Sequence, residues 1–198
     1  MSVITVTFHS GTKAPALAWG CGSGKAKKNA LESGKVALDA GFRHIDTAQG
    51  YNTEEAVGEL VASHNLVKDD VFVTSKRTRF IQLLPLILNT HHGLFVVSAR
   101  ESDAPVPLDE VRSEIEASIK RLGFTPDLFL IHNPFVVPDG SLKKTWQLLE
   151  DLKDEGVLKD IGVSNFRPQD LKLILDGAKH IPVTNQVCGT SQSDGTAP

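Results

Sequence analysis

Four side chains in this chain, Asp46, Tyr51, Lys76 and His132, would make a proton-delivery centre if folding brought them together. A tyrosine phenol holds its proton up to a pH near 10, so it is a poor acid at neutrality until a cation beside it stabilises the phenolate. A buried lysine supplies that cation, and an aspartate keeps the lysine charged and oriented. A histidine on a neighbouring strand can place a carbonyl oxygen next to the phenol. Each residue alone has an ordinary explanation: a turn or N-cap aspartate, a solvated lysine, a satisfied structural histidine. Tyr51 is the only tyrosine of the chain. The four are joined by position, since Asp46, Lys76 and His132 end consecutive predicted strands and Tyr51 lies in the loop after the first of these. In a βα barrel that rim is where reacting groups converge.

The elements that must position them follow from periodicity. Ile4–Phe8 and Ala14–Leu17, joined by Ser10-Gly11-Thr12-Lys13, read as an N-terminal hairpin, with the second run continuing as a strand to Cys21. Asn29–Ala40 has helical spacing and a stop at Gly41. His44–Thr47 is a short strand. Thr53 is expected to cap a helix carrying Val57, Leu60 and Val61, with Glu54 and Glu55 in its first turn. Strands over Val71–Ser75, Asp127–Ile131, Ile161–Val163 and Val183–Val187 alternate with helices over Leu108–Leu122, Ser141–Glu155 and Pro168–Leu175. About six βα steps after a hairpin imply an α/β protein with a parallel sheet, either closed as a barrel or doubly wound.

Composition excludes other classes. The chain has 198 residues, 40% apolar and 23% charged, enough for one core. A net charge of −3 and a pI near 6.2 argue against nucleic acid as a partner. Cys21 and Cys188, 167 positions apart, form no disulfide framework and read as free thiols of a reducing compartment. The start MSVITVTFHS is not a signal peptide, and no apolar run reaches the ~18 residues of a membrane span. The expectation is a cytoplasmic chain with no membrane partner and no readable protein partner. Trp19–Ala26 falls short of a phosphate loop, lacking glycine at 19 and Ser or Thr at 26. His91-His92 has no acid or cysteine at ligand spacing, so no metal is expected. Lys25, Lys27 and Lys28 are a basic patch of the kind found at a solvated helix start.

Two long motifs carry a resemblance. Gly41-Phe42-Arg43-His44-Ile45-Asp46-Thr47-Ala48-Gln49-Gly50-Tyr51, followed by Glu54 and Gly58, and Leu158-Lys159-Asp160-Ile161-Gly162-Val163-Ser164-Asn165-Phe166 are similar to motifs of the aldo-keto reductase family. Val73-Thr74-Ser75-Lys76 and Leu130-Ile131-His132-Asn133-Pro134 match that family's lysine and histidine strands. The resemblance implies a (β/α)8 TIM barrel that reduces small aldehydes or ketones with NADPH. It makes Tyr51 the proton donor, Lys76 paired to Asp46 the group that lowers the phenol pKa, and His132 the group that orients the carbonyl. Ser164, Asn165 and Gln186 would hold the nicotinamide carboxamide, which both donates and accepts hydrogen bonds. Gly20 and Cys21 would border the cofactor; Cys21 and Gly22 stand where the family often has threonine and tryptophan.

Departures set further expectations. The chain reaches only the sixth strand of the family's eight, so a single domain over residues 1–198, a barrel truncated to about six βα units, is expected. The family's motif for the 2′-phosphate has no counterpart, and a non-catalytic barrel fragment is the competing reading. Residues 77–105 form an atypical insertion, far beyond the roughly 2–6 residues of a βα loop, and 189–198 a disordered tail. Both are read as translated non-coding sequence, against the alternative of a lid.

Overall fold

The computed structural model describes residues 3–64, 66, 68–78, 108–137 and 140–187. Strands β1 (Thr5–Thr7) and β2 (Lys13–Pro15) form the expected antiparallel hairpin. Six strands follow: β3 (Trp19–Gly20), β4 (His44–Asp46), β5 (Phe72–Arg77), β6 (Leu128–Ile131), β7 (Asp160–Ser164) and β8 (Asn185–Gln186). They lie side by side in chain order, every neighbouring pair parallel. Parallel neighbours require a crossover, and helices supply it: α1 (Gly24–Lys28), α2 (Ala30–Asp39), α3 (Glu54–Ser63), α4 (Leu108–Leu122), α5 (Leu142–Asp154) and α6 (Pro168–Leu175). A doubly wound sheet reverses its strand order at a switch point. This one never reverses, so the winding is that of a TIM-type barrel.

The sheet is also curled. The Gln186 side chain on β8 reaches Asp46 on β4 at 2.9 Å, although three strands separate them in the sheet. All residues of β5, β6 and β7 are buried, as both-face coverage of parallel strands demands. Phe129, Ile131, Ile161 and Val163 pack outward against Ile115, Trp146 and Leu149. Close helix packing depends on Gly58, where any Cβ would run into the Leu122 carbonyl. The hairpin plugs the N-terminal ends of the strands: Phe8 and Ala14 pack with Phe72, Leu128 and Leu130, and the Ser10 hydroxyl donates to Asp160 Oδ2 at 2.9 Å. Opposite this plug lies the rim formed by the strands' C-terminal ends.

Three boundaries differ from expectation. Arg77, assigned by pattern to the insertion, is the last residue of β5; its buried guanidinium donates to the Val136 carbonyl at 2.6 Å and pairs with Glu114 of α4 at 3.2 Å. Thr53 does start α3, but its hydroxyl makes no capping bond. It turns inward to Thr47 Oγ1 and Cys21 Sγ, at 2.9 and 3.1 Å. The basic patch forms α1, ahead of the helix expected from Asn29. Residues 79–105 of the insertion, with His91-His92, and Cys188 and the tail lie outside the described residues. Among those described, no helix is long and apolar enough to cross a membrane, and no cluster of His, Cys, Asp or Glu could hold a metal ion.

Candidate active site

The rim begins with a buried ion pair. Asp46 closes β4 and lies opposite Thr74 in the neighbouring strand; Lys76 follows Thr74 by two residues and so shares its face of β5. Lys76 Nζ donates to Asp46 Oδ1 at 2.5 Å and to the Thr47 carbonyl at 3.1 Å. Burial pushes the Lys76 ammonium below its usual pKa, and the Asp46 carboxylate opposes that shift. The second oxygen of Asp46 accepts from Gln186 Nε2.

Tyr51 is delivered by a 3-10 turn, Gln49–Tyr51, which ends on Asn52 in the left-handed conformation at φ 58°. Gly22 backs onto the ring, and a Cβ there would lie 2.7 Å from Tyr51 Cζ. Lys76 Nζ sits 5.4 Å from the Tyr51 ring centroid, within reach of a cation–π contact. On the other side, Tyr51 Oη is 3.3 Å from His132 Nε2, and the rings meet edge to face. Burial and then the Lys76 charge hold the His132 pKa below its ordinary value, which favours the neutral ring. The structure thus brings Asp46, Tyr51, Lys76 and His132 together at one end of a curved parallel sheet. A phenol flanked by an ammonium and a neutral imidazole can hand a proton to an oxygen lodged between phenol and imidazole.

The residues expected to meet a cofactor divide into two groups. Ser164, Asn165 and Gln186 cluster on the same rim: the Ser164 hydroxyl donates to the Gln186 carbonyl at 2.7 Å, and Asn165 Nδ2 donates to Ser164 Oγ and to the His132 carbonyl at 3.0 and 3.1 Å. Asn165 takes a left-handed φ of 57°, which turns its amide back over the end of β6. Gly20 is exposed at the end of β3. Cys21, by contrast, is fully buried, its thiol 3.2 Å from the Asp46 carbonyl and raised in pKa by burial. Its side chain faces the core, where the thiol, the Thr47 and Thr53 hydroxyls and the Asp46 carbonyl satisfy one another.

Pattern reading missed two residues of the rim. Thr78 touches His132 Nδ1 at 2.8 Å but stood inside the presumed insertion. Gln49 holds Thr78 in place; its only signal was membership of the long motif around Asp46.

A family model described as the aldo/keto reductase family matches residues 10–190. Aldo-keto reductase family 1 member C1 of Homo sapiens is 36% identical over 185 residues, covering 81% of this chain and 50% of that protein. Member C21 of Mus musculus is 34% identical, covering 92% of this chain and 57% of its own length. Among solved structures, an aldo/keto reductase from Brucella melitensis superposes with a TM-score of 0.74 at 32% identity, over 94% of this chain and 63% of that one. A Bombyx mori aldo-keto reductase in complex with NADP superposes at 0.73 and 29% identity, over 94% and 58%. The chain spans about half the length of the curated relatives it matches.

Proposed function

The chain belongs to the aldo/keto reductase family, and from that premise we propose that it reduces aldehydes or ketones to alcohols with NADPH, Tyr51 giving the proton. The observation that carries this reading is the contact of the Tyr51 hydroxyl with His132 while Lys76, paired to Asp46, stands over the same ring. When bound, NADPH would supply the hydride that the carbonyl carbon takes up. Tyr51 passes its proton to the carbonyl oxygen, and the Lys76 ammonium stabilises the phenolate left behind. Asp46 keeps that ammonium charged and pointed at the ring. His132 donates to the carbonyl oxygen and sets its angle to the phenol.

The donor set at the rim suits a nicotinamide carboxamide. Two side-chain amides and a hydroxyl, Asn165, Gln186 and Ser164, offer both donors and acceptors there: Asn165 and Ser164 are bonded to each other and to the Gln186 backbone carbonyl, and the Gln186 amide donates to Asp46. Gly20 would border the nucleotide, with Cys21 supporting that strand end from the core. The NADP held by the Bombyx mori relative supports the same cofactor. We further place the chain in the cytoplasm as one domain acting on a small carbonyl compound, which the reading of Cys21 and Cys188 as free thiols supports.

The test is NADPH binding by fluorescence on the purified chain, followed by carbonyl-dependent NADPH consumption. Tyr51→Phe is expected to retain NADPH binding and lose about 10²–10⁴-fold in turnover. Absence of NADPH binding by the parent chain, or full turnover by Tyr51→Phe, would overturn the proposal.

A further inference from the structure

Thr78 is the residue immediately after β5, and three different neighbours hold it. Its backbone N–H donates to Gln49 Oε1 at 3.1 Å, and the Gln49 amide in turn donates to the Glu114 carbonyl of α4 at 3.0 Å. Its methyl packs over Gly50, where a Cβ would approach Thr78 Cγ2 to 2.6 Å, so this closeness depends on glycine. Its hydroxyl lies 2.8 Å from His132 Nδ1. With backbone and methyl fixed, the hydroxyl oxygen has a defined place beside the ring.

A neutral imidazole carries one N–H, and which nitrogen bears it decides what the ring can do. His132 Nε2 is the nitrogen that faces Tyr51. With the proton on Nδ1, Nε2 would aim a lone pair at the oxygen-rich space beside the phenol and repel a carbonyl oxygen there. With the proton on Nε2, the ring donates to that oxygen and to the phenolate formed when Tyr51 gives up its proton.

We propose that Thr78 is a positioning residue: its hydroxyl donates to His132 Nδ1 and so keeps the single ring proton on Nε2, aimed at the Tyr51 oxygen. This rests on the reductase reading of the site, and Thr78 itself touches none of the reacting atoms. The role is absent from the motifs that mark Asp46, Tyr51, Lys76 and His132. It comes from the Gln49–Thr78–His132 chain of contacts, which ties α4 to the rim.

The experiment uses the full chain labelled with ¹⁵N-histidine, without cofactor or substrate, His132 being assigned through His132→Asn. Above its titration His132 is expected to show a pyrrole-type Nε2 and a pyridine-type Nδ1. In T78V the Nδ1 resonance moves as for a ring nitrogen that has lost its donor, and kcat falls about five- to tenfold, the worth of one neutral hydrogen bond. KM for NADPH is unchanged, and T78S restores both spectrum and kcat. T78A carries the same expectation should the valine variant not fold. A parent spectrum with the proton on Nδ1 overturns the proposal, as does a T78V or T78A protein with parental spectrum and kcat. The spectrum is read without turnover, so its failure refutes the role of Thr78 and leaves the reductase reading standing. A parent chain with Nε2–H in place that neither binds nor consumes NADPH refutes that reading instead.

Discussion

Lys76→Met isolates the interaction on which the rim depends. The Lys76 and Asp46 side chains are 3% and 13% exposed and meet at 2.5 Å. Methionine keeps the length of the lysine stem and removes the charge, leaving the Asp46 carboxylate with the Gln186 amide as its side-chain donor. Breaking a buried pair costs about 3–5 kcal/mol. The retained Gln186 bond and the residual access of water to Asp46 place this case at the lower end, near ~3 kcal/mol by the same rule. Asp46→Leu leaves the buried ammonium with the Thr47 carbonyl as its acceptor and is expected to cost about 3–5 kcal/mol. Removing both charges is different, because neither ion is then left stranded. Lys76→Met with Asp46→Leu should return to within about 1–2 kcal/mol of the parent, the remainder being the acceptor lost by the Gln186 amide. Urea unfolding followed by circular dichroism reads all four proteins, and an unchanged slope confirms that only stability has moved. The reasoning demands a coupling of about 2 kcal/mol or more. Simple additivity, with the double variant the least stable of the set, would show that the pair is not an isolated buried unit.

Gly22→Ala pushes a methyl into the Tyr51 ring at 2.7 Å; a displacement near 1 Å is expected to cost about 10²-fold in kcat with little change in melting temperature, and parental turnover would contradict the contact. Burial lowers the pKa of both His44 and His132, so the unfolded chain binds protons more readily than the fold does. Stability is therefore expected to be lost as pH falls from about 6.5 through the depressed values, by at most about 1.4 kcal/mol per pH unit for each ring, and His44→Gln should flatten part of that slope in urea titrations at stepped pH. Glu54 is buried and accepts from Ser75, Ser118 and Arg121. Glu54→Ala is expected to cost about 3–5 kcal/mol and Glu54→Gln about half of that, since glutamine keeps an acceptor for the two hydroxyls; equal urea midpoints for the two variants would refute this.

Strand-end placement was legible because it obeys local rules. Asp46, Lys76 and His132 stand at or beside the ends of short apolar runs, and helix stops at Gly41, Gly123 and Gly156 coincide with left-handed φ values of 95°, 78° and 75°. What stayed hidden is where side chains go when tertiary partners compete. Thr53 is a good N-cap residue, yet the buried Cys21 thiol and the Thr47 hydroxyl claim its oxygen. Cys21 stands at a rim position in the sequence but turns inward because Asp46 O and Thr53 form a polar niche below it. Arg77 belongs to β5 through partners 37 and 59 residues downstream, Glu114 and Val136, which no window of neighbouring residues contains.

The reach of Gln186 to Asp46 spans 140 positions of chain, against 30 for Lys76 to Asp46. Chain-closure entropy grows with the logarithm of that separation, which makes the longer loop costlier by about 1.4 kcal/mol. Its anchorage is also slight, since β8 pairs with β7 only through Val163↔Asn185 and Ser164↔Gln186. The two sides of the rim therefore have different lifetimes. The side carrying Asp46 and Lys76 is set inside the sheet, between strands paired along their length, and is expected to persist as long as the sheet does. The side carrying Ser164, Asn165 and Gln186 can come undone and re-form by fraying of one short strand, so that hydrogen exchange at β8 runs ahead of exchange at β5 while the Asp46–Lys76 pair stays closed.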